Sequence, residues 1–255
     1  MLRSIVRTRI LGVIPARFAS SRFPGKSLAL IAGKPMLQHV WERASQARYL
    51  TKVVIATDDE RIHKAARAFG AQVQMTRPDH LSGTDRVAEA ASSDHASLVV
   101  NIQGDEPLID PAAIDAAVVG LLSDDGAPMG SLMKAIGDRR EIADPNVVKV
   151  VTNLAGDAIY FSRCPIPFPR DAAGHLDPYR HYKHLGLYVY RRDFLLAYSG
   201  LPVGPLERME RLEQLRAIEN GYRVRMVETE CDSLGVDTPE DLERVSALFE
   251  QFIKV

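Results

Sequence analysis

Cysteine, net charge and long apolar runs are all scarce in this 255-residue sequence, and each scarcity excludes a class of protein. The two cysteines, Cys164 and Cys231, form neither a disulfide framework nor a zinc-binding spacing, which favours a reducing compartment and hence the cytoplasm. The net charge of −1 provides no general attraction to nucleic acid or to a membrane surface. No apolar run approaches the roughly 20 residues that cross a bilayer, so we expect neither a nucleic-acid partner nor membrane insertion.

Familiar phosphate-binding signatures are also missing from the turn after the first apolar run. That turn has neither the G-x-x-x-x-G-K-[ST] spacing of the P-loop nor the G-x-G-x-x-G fingerprint of dinucleotide sites. The second absence disfavours a nicotinamide-dependent oxidoreductase. The start of the chain lacks the long apolar core of a signal peptide, and we expect it to be an arm that leads into the first strand.

Apolar runs do occur, but they are short, and in the first half of the chain they alternate with helical patterns. Strands are predicted at residues 10–16, 52–57, 71–76 and 97–102, with amphipathic helices between them. This alternation predicts an α/β fold with a mostly parallel twisted sheet and helices on both faces. Because right-handed crossovers bring the loops after the strands to one edge, we expect ligands to bind at that edge.

After residue 125 the alternation gives way to strand-like segments with few helices between them. No linker composition marks a boundary. We therefore interpret the chain as a single α/β domain, residues 1–255, in which about 126–230 contain an inserted β-rich subdomain.

Two helices are predicted near the end of the chain. The first covers residues 204–221, and its helical spacing predicts that these apolar residues are buried: Leu206, Met209, Leu212 and Leu215. The second begins after Thr238, which can cap it, with Pro239 as its first residue and Asp241 as the third-position partner of the cap.

Three cations lie close together directly after the first predicted strand. Arg17, Arg22 and Lys26 follow one another at intervals of five and four residues. From a loop at a strand end they could converge on a polyphosphate, since arginine forms forked hydrogen bonds to phosphate and lysine supplies a mobile charge. Gly25 would let the backbone come close to such a ligand. The alternative is an ordinary solvated basic loop.

Two aspartates are candidates for a Mg²⁺ site at the same edge. Asp105 follows the fourth predicted strand, and Asp237 immediately precedes the cap of the last helix. Mg²⁺ is commonly held by one or two carboxylates together with phosphate oxygens. Each aspartate also has a plain structural explanation, since Asp105 lies in a Gly-Asp turn and Asp237 lies near a helix N-terminus. Their combination with three cations is what favours a metal–triphosphate site.

The segment 76–86 carries small polar residues suited to a nucleobase and its ribose. Arg77, Ser82, Gly83 and Thr84 offer hydrogen-bonding groups with little bulk. Capping of a helix by Ser82 or Thr84 explains these residues equally well. The sequence alone leaves both interpretations open.

Seven segments between about residues 10 and 246 carry a family resemblance. They are IPARFASSRFPGK, TRPDHLSGTDR, NIQGDEPLI, YFSRCPIPFPR, HLGLYVYRRDFL, PLERMERLEQLRAIENG and GVDTPEDLERV. Together and in this order they resemble the 3-deoxy-manno-octulosonate (Kdo) cytidylyltransferases, or CMP-Kdo synthetases. The sialic acid cytidylyltransferases share the general plan, but the R-x-x-S-S-R-x-P-G-K form of the first loop is that of the Kdo enzymes. The resemblance implies a fold like that of the nucleotide-diphospho-sugar transferases.

The resemblance also implies a reaction in which CTP and Kdo give CMP-Kdo and pyrophosphate, for lipopolysaccharide biosynthesis, with Mg²⁺ as cofactor and a homodimer as the assembly. The catalytic residues that it implies are Arg17, Arg22, Lys26, Asp105 and Asp237, the last two as metal ligands. The implied nucleotide-binding residues are Ala16, Arg17, Lys26, Arg77, Ser82, Gly83, Thr84, Gln103 and Gly104. The implied sugar-binding residues are Arg163, His184, Tyr188, Glu213 and Gln214.

Alternatives remain at the sugar site and for the function. Arg163 can bond the Kdo carboxylate at two points, whereas His184 could equally be a core residue of a half-buried strand. Tyr188 lies four residues further along that strand, so the two side chains are expected on one face. The alternative functions are CTP-dependent activation of another sugar acid, sialic acid or amino-substituted Kdo, and binding of CTP without catalysis.

Overall fold

A mixed sheet of nine strands forms the centre of the protein, whose computed structural model describes residues 8–19, 23–170 and 180–253. The strands are β1 Ile10–Ala16, β2 Leu30–Ile31, β3 Lys34–Pro35, β4 Lys52–Thr57, β5 Gln72–Met75, β6 Leu98–Asn101, β7 Met129–Ala135, β8 Lys149–Thr152, β9 Ala158–Ser162, β10 Tyr182–Arg191 and β11 Val224–Glu228. The short strands β2 and β3 pair only with each other within the described residues.

The α-helices of the same residues are α1 Met36–Ala44, α2 Glu60–Ala68, α3 Gly83–Ser92, α4 Pro111–Leu122, α5 Arg139–Ala143, α6 Arg192–Tyr198, α7 Pro205–Glu210, α8 Leu215–Glu219 and α9 Pro239–Ile253. A short 3₁₀ turn covers Lys26–Leu28. Within the described residues, no helix is both long and apolar enough to cross a membrane.

Strand direction confirms the predicted, mostly parallel sheet. The main path through the sheet runs β11-β7-β10-β6-β1-β4-β5. The strands β6, β1, β4 and β5 are mutually parallel, and β7 is parallel to β11. The exception on this path is β10, which is antiparallel to both of its neighbours β6 and β7. The loops after β1, β4, β5 and β6 therefore leave the sheet at one edge, and β10 begins there.

Both faces of the sheet are covered, as the alternation of apolar runs predicts. Ile10 and Ile14 of β1 face one core cluster, which contains apolar residues of α1, α2 and α4. Leu11 and Val13 of the same strand face a second cluster, which contains residues of α3, α6 and α8. Successive strand residues point to opposite faces, so a strand covered on both sides must be apolar throughout.

The second half of the chain extends the same sheet. Strand β10 inserts between β6 and β7 and so joins the later strands to the earlier ones. Strand β8 pairs antiparallel with both β10 and β9 at the margin of the sheet. The start of β10 and the loop after β9 are thereby brought beside the loops of the first half.

The prediction of one helix over 204–221 is wrong, because the structure has two short helices there. Arg211 adopts φ 55° and ends α7, and α8 begins four residues later. With this break, 82% of the Met209 surface is exposed, whereas Leu212 and Leu215 are buried as predicted. The break also turns the residues between the two helices toward the edge of the sheet that carries the loops.

The predicted cap of the last helix is confirmed. The backbone N–H of Asp241 donates to Thr238 Oγ1 at 3.2 Å, and the backbone N–H of Thr238 donates to Asp241 Oδ2 at 3.1 Å. This reciprocal pair satisfies two of the amide groups that a helix N-terminus leaves without partners. Asp237 is held directly before it, since its own N–H also donates to Asp241 Oδ2.

Candidate active site

A small cavity opens where the loops after β1 and β6 meet, and its volume is about 270 Å³. We call it the small cavity. Its lining residues are Pro15, Ala16, Arg17, Lys26, Ser27, His80, Ser82, Gly83, Arg86, Gln103, Gly104, Asp105 and Asp237. Three segments predicted to meet at this edge of the sheet, the cationic loop, the start of α3 and the turn after β6, therefore do so.

Lys26 joins the two aspartates of the small cavity. Its Nζ donates to Asp105 Oδ2 at 2.6 Å, to Asp237 Oδ1 at 3.0 Å and to the carbonyl of Val236 at 3.1 Å. Burial favours loss of the ammonium proton, but the attraction of Asp105 and Asp237 outweighs it and raises the pKa of Lys26. Lys26 is therefore positively charged and lies between two carboxylates that are 132 positions apart in the sequence.

A closed turn delivers Lys26 to this position. Gly25 has φ 74°, in the left-handed region that favours glycine, and its N–H donates to the carbonyl of Phe18 at 2.9 Å. A Cβ at Gly25 would lie 2.9 Å from the Phe18 ring. The guanidinium of Arg61 covers that ring, 3.3 Å from its centroid. The ring is thus held in place, and only glycine fits the turn against it.

The donors at this site fit the divalent cation that the resemblance implies. The Lys26 ammonium shows that a positive group is accommodated between Asp105 and Asp237. Within the described residues, no group of three or more His, Cys, Asp or Glu side chains could enclose a metal ion. Mg²⁺ does not need such a cage, since one or two carboxylates hold it while water and substrate phosphates complete its coordination.

A larger cavity of about 790 Å³ adjoins the small one. We call it the large cavity. The five residues predicted to bind a sugar acid all line it: Arg163, His184, Tyr188, Glu213 and Gln214. Gly83, Gln103 and Asp237 line both cavities. Ligands in the two cavities would therefore approach each other across these three residues.

One residue in the wall of the large cavity carries an unpartnered donor. The Tyr188 hydroxyl donates to Gln214 Oε1 at 3.2 Å. Gln214 is only 4% exposed, and its Nε2 has no partner among the described residues. Because a buried amide without a partner is unfavourable, Nε2 is suited to donate to an oxygen of a bound ligand.

His184 lies beside Tyr188 in the wall of the large cavity, and their ring centroids are 5.4 Å apart. The predicted common face is thus confirmed. His184 Nε2 is 2.9 Å from Ser131 Oγ, and Phe161 packs edge-on against the imidazole. Burial lowers the pKa of His184 to about 3, so the imidazole is neutral at ordinary pH. The structure combines both interpretations of this residue, because the ring is packed and still borders the cavity.

Comparison with known proteins places the chain in a family. A family model described as Cytidylyltransferase matches residues 11–228. The 3-deoxy-manno-octulosonate cytidylyltransferase of Solibacter usitatus (strain Ellin6076) is 71% identical over 245 residues, which is 96% of each chain. This chain belongs to the 3-deoxy-manno-octulosonate cytidylyltransferase family. The protein of the same name from Syntrophotalea carbinolica is 58% identical over 93% of this chain and 97% of its own length.

A solved structure supports the same assignment. The structure of CMP:2-keto-3-deoxy-manno-octonic acid synthetase complexed with CTP superimposes with a TM-score of 0.90 at 47% sequence identity. The match covers 96% of this chain and 99% of the other. The predicted fold and the predicted family are therefore confirmed, and the chain is a nucleotidyltransferase.

Two residues of the predicted nucleotide site lie elsewhere in this cytidylyltransferase. Arg77 is exposed and does not line either cavity. Its Nε lies 3.5 Å from a carboxylate oxygen of Glu89, and its backbone N–H donates to the same carboxylate. Thr84 lines the large cavity instead of the small one, because it faces Glu213 and Tyr190 at the second position of α3. Arg22 lies outside the described residues.

Ser82 satisfies both interpretations that its sequence context leaves open. Its Oγ accepts from the backbone N–H of Asp85 at 3.1 Å, and its own N–H donates to Asp85 Oδ2. Ser82 is therefore the N-cap of α3. Ser82 and Gly83 also line the small cavity, so the helix N-terminus itself forms part of its wall.

Arg86 is a residue of the site that the sequence analysis missed. It is buried and lines the small cavity, where its Nη2 lies 3.1 Å from Asp58 Oδ2 and its Nη1 donates to Thr76 Oγ1. One signal for it exists in the sequence. Arg86 lies four residues before Ala90, which is buried on α3, so it occupies a helical face that packs on the sheet.

Ser131 of β7 lines neither cavity but contacts His184 in the wall of the large one, and it too was missed. Its hydroxyl lies 3.1 Å from the carbonyl of Leu185 and 2.8 Å from that of Leu187, where the register of β10 shifts between Leu185 and Tyr188. Such an irregularity redirects side chains. Here the irregularity lies between His184 and Tyr188 in the cavity wall. Ser131 contacts both the backbone of β10 at this point and the imidazole of His184.

Proposed function

We propose that this cytidylyltransferase transfers CMP from CTP to Kdo, with release of pyrophosphate. The observation that carries the proposal is the shared boundary of the two cavities, which is formed by Gly83, Gln103 and Asp237 next to the Lys26–Asp105 pair. In the reaction the anomeric hydroxyl oxygen of Kdo attacks the α-phosphorus, and the bond from that phosphorus to the pyrophosphate oxygen breaks in line.

The small cavity is proposed to hold CTP. Arg17, Lys26 and Arg86 provide positive charge for the phosphates, and the amide groups at the start of α3 are favourable for an anion. Ser82 and Gln103 supply small hydrogen-bonding groups for the cytidine. These residues orient the triphosphate and balance its charge, which is most of what phosphoryl transfer requires of a protein.

The large cavity is proposed to hold the sugar acid. Arg163 is the candidate for its carboxylate, and two backbone carbonyls fix the guanidinium: Nε donates to that of Glu210 at 2.8 Å and Nη1 to that of Pro145 at 2.9 Å. The Nε2 group of Gln214 is available for a hydroxyl of the sugar. Glu213 accepts from Ser82 Oγ at 3.3 Å, and burial raises the pKa of its carboxyl group.

Asp105 and Asp237 are proposed to hold Mg²⁺. The chemistry that the ion supplies when bound is neutralisation of phosphate charge and a lower pKa for a neighbouring hydroxyl. The side chains of the protein orient the two substrates at the boundary of the cavities. Asp237 borders both substrates, whereas Asp105 borders the nucleotide side alone.

Pyrophosphate release tests the proposal. The purified protein is given CTP, Mg²⁺ and one sugar acid from a panel of Kdo, 8-amino-Kdo and N-acetylneuraminic acid. We expect release with Kdo at a kcat/KM well above that with the other acids. Faster turnover of another acid would reassign the substrate, and a CTP-dependent melting shift without release from any acid would indicate binding without catalysis.

We further propose that the protein works in the cytoplasm as a homodimer and that its product serves lipopolysaccharide biosynthesis. The family resemblance supports the homodimer and the use of the product, and the two cysteines without a disulfide framework support the cytoplasm. Light scattering coupled to size-exclusion chromatography should give twice the chain mass of 28.2 kDa, and a mass that stays at one chain across concentrations would contradict the dimer.

A further inference from the structure

Lys26 occupies the space between the two carboxylates that are proposed as metal ligands. Its Nζ is within hydrogen-bonding distance of one oxygen from each: 2.6 Å from Asp105 and 3.0 Å from Asp237. Its side chain is only 15% exposed. The ammonium therefore offsets part of the charge of the two carboxylates in the protein without substrate.

Two cations cannot share these oxygens at low cost. Mg²⁺ binds carboxylate oxygens at about 2.1 Å, so an ion in contact with Asp105 Oδ2 and Asp237 Oδ1 would lie within a few ångströms of Nζ. Like charges at such a distance in a partly buried site repel strongly. Either Lys26 moves away or the divalent ion is held poorly.

The small cavity offers Lys26 a second position. The lysine stem has four rotatable bonds, and it starts from the turn that Gly25 closes against Phe18. A nucleoside triphosphate bound in the small cavity would present several negatively charged oxygens to the ammonium. The backbone of the turn needs no change for the ammonium to leave the aspartates, because Nζ at the end of the flexible stem makes the hydrogen bonds to them.

We propose that Lys26 is a built-in competitor of the divalent cation, and that it yields the aspartates only when nucleotide phosphates accept its charge. Binding of the metal and binding of the nucleotide are then mutually dependent, as any coupling between two sites must be. Free metal ions occupy the empty enzyme poorly, and Lys26 moves from a structural ion pair to a phosphate contact as the substrate enters. This inference rests on the metal-binding role of Asp105 and Asp237 in the proposed function.

The test is a titration of the nucleotide-free protein with Mn²⁺, a paramagnetic substitute for Mg²⁺, followed by electron paramagnetic resonance. Removing the competing charge with Lys26→Gln should tighten Mn²⁺ binding by about tenfold or more, at the usual scale of coupling between sites. Lys26→Gln combined with Asp105→Asn should lose the gain. The matched control is Lys34→Gln, which removes an exposed lysine that pairs with Glu42, and it should leave Mn²⁺ affinity unchanged.

Equal Mn²⁺ affinities of the wild-type protein and Lys26→Gln would overturn the inference, as would an equal gain in Lys34→Gln. A crystal of the wild-type protein soaked in Mn²⁺ provides a measurement that needs no variant. An anomalous peak at Asp105 and Asp237 must coincide with a displaced Lys26 side chain, and a peak with Nζ still between the carboxylates contradicts the competition. Failure of the proposed function would instead appear as absent pyrophosphate release by the wild-type protein, which the Mn²⁺ titration does not measure.

Discussion

The hydroxyl of Tyr198 donates to the backbone carbonyl of Glu213 at 2.6 Å. Tyr198 ends α6 and is almost completely buried, whereas Glu213 lies in the break between α7 and α8 and lines the large cavity. This bond ties the sugar-side wall of the cavity to α6, which packs on the central strands β6 and β10. Tyr198 also lines the large cavity, so one residue both borders the cavity and holds the segment that carries Glu213.

Replacing Tyr198 with Phe should weaken sugar binding while the protein remains folded. The loss of one hydrogen bond costs about 1 kcal/mol of unfolding free energy, because the ring still fills its site. We expect the KM for Kdo to rise several-fold while the KM for CTP stays near that of the wild-type protein. The control is Tyr222→Phe at a 40% exposed tyrosine, and equal KM changes for both substrates in Tyr198→Phe would contradict the positioning role.

Breaking the buried ion pair that joins α7 and α8 should destabilise the protein. Arg216 donates from Nε and Nη2 to the two carboxylate oxygens of Glu207, at 2.8 and 2.6 Å. Glu207→Gln leaves the guanidinium without its charge partner, which costs about 3 kcal/mol for a buried pair. Chemical denaturation measures this loss. Arg140→Gln, which breaks an exposed pair with Asp138, should cost less than about 1 kcal/mol.

Removing the charge of Asp105 should slow turnover strongly without unfolding the protein. Asp105→Asn keeps the shape of the side chain but removes one of the two carboxylates at the proposed metal site, so we expect kcat to fall about a hundredfold or more. Steady-state pyrophosphate release measures it, with Asp193→Asn as a control at a surface aspartate that is 97% exposed. Near-normal kcat in Asp105→Asn would remove Asp105 from the catalytic machinery.

The neutral imidazole of His184 predicts a dependence of stability on pH. Its pKa in the folded protein is about 3, below the ordinary 6.5, because burial disfavours the charged ring. Between these values the unfolded chain binds more protons than the folded one, so the stabilising contribution is complete above pH 6.5 and declines as the pH falls toward 3. From pH 7 to pH 5 the loss from this residue should be about 1–2 kcal/mol.

Urea denaturation at pH 7, 6 and 5 measures that loss in the wild-type protein and in His184→Gln. The variant should show a shallower decline, because it has no imidazole to protonate on unfolding. His63→Gln, at a more exposed histidine of α2, should follow the wild-type curve. Parallel curves for the wild-type protein and His184→Gln would contradict the buried neutral imidazole.

Much of the architecture follows from local patterns in the sequence. Continuous apolar runs indicate strands covered on both faces, and the turn chemistry between them indicates where helices begin and end. Parallel order then brings the loop before Lys26 and the turn of Asp105 to one edge. The meeting of these loops could therefore be predicted, although the 2.6 Å contact between Lys26 and Asp105 could not.

The features that could not be predicted from the sequence depend on contacts between residues that are far apart in the chain. The break at Arg211 requires a left-handed backbone at a residue that does not favour it, and the pair Glu207–Arg216 and the bond from Tyr198 hold the segments on either side of it. The helical spacing of α3 places Arg86 on the buried face, but its partner Asp58 comes from a different loop and could not be predicted. Arg77 likewise lies outside the cavity because its guanidinium pairs with the carboxylate of Glu89.

The cap of the last helix has a consequence for how the end of the chain can be handled. Asp237, which borders both substrates in the proposed reaction, receives its orientation from Asp241 on the first turn of α9. Deletions or fusions that fray this helix should disturb the reacting groups even though the sheet is untouched. Helix α9 thus supports the proposed site through Asp237.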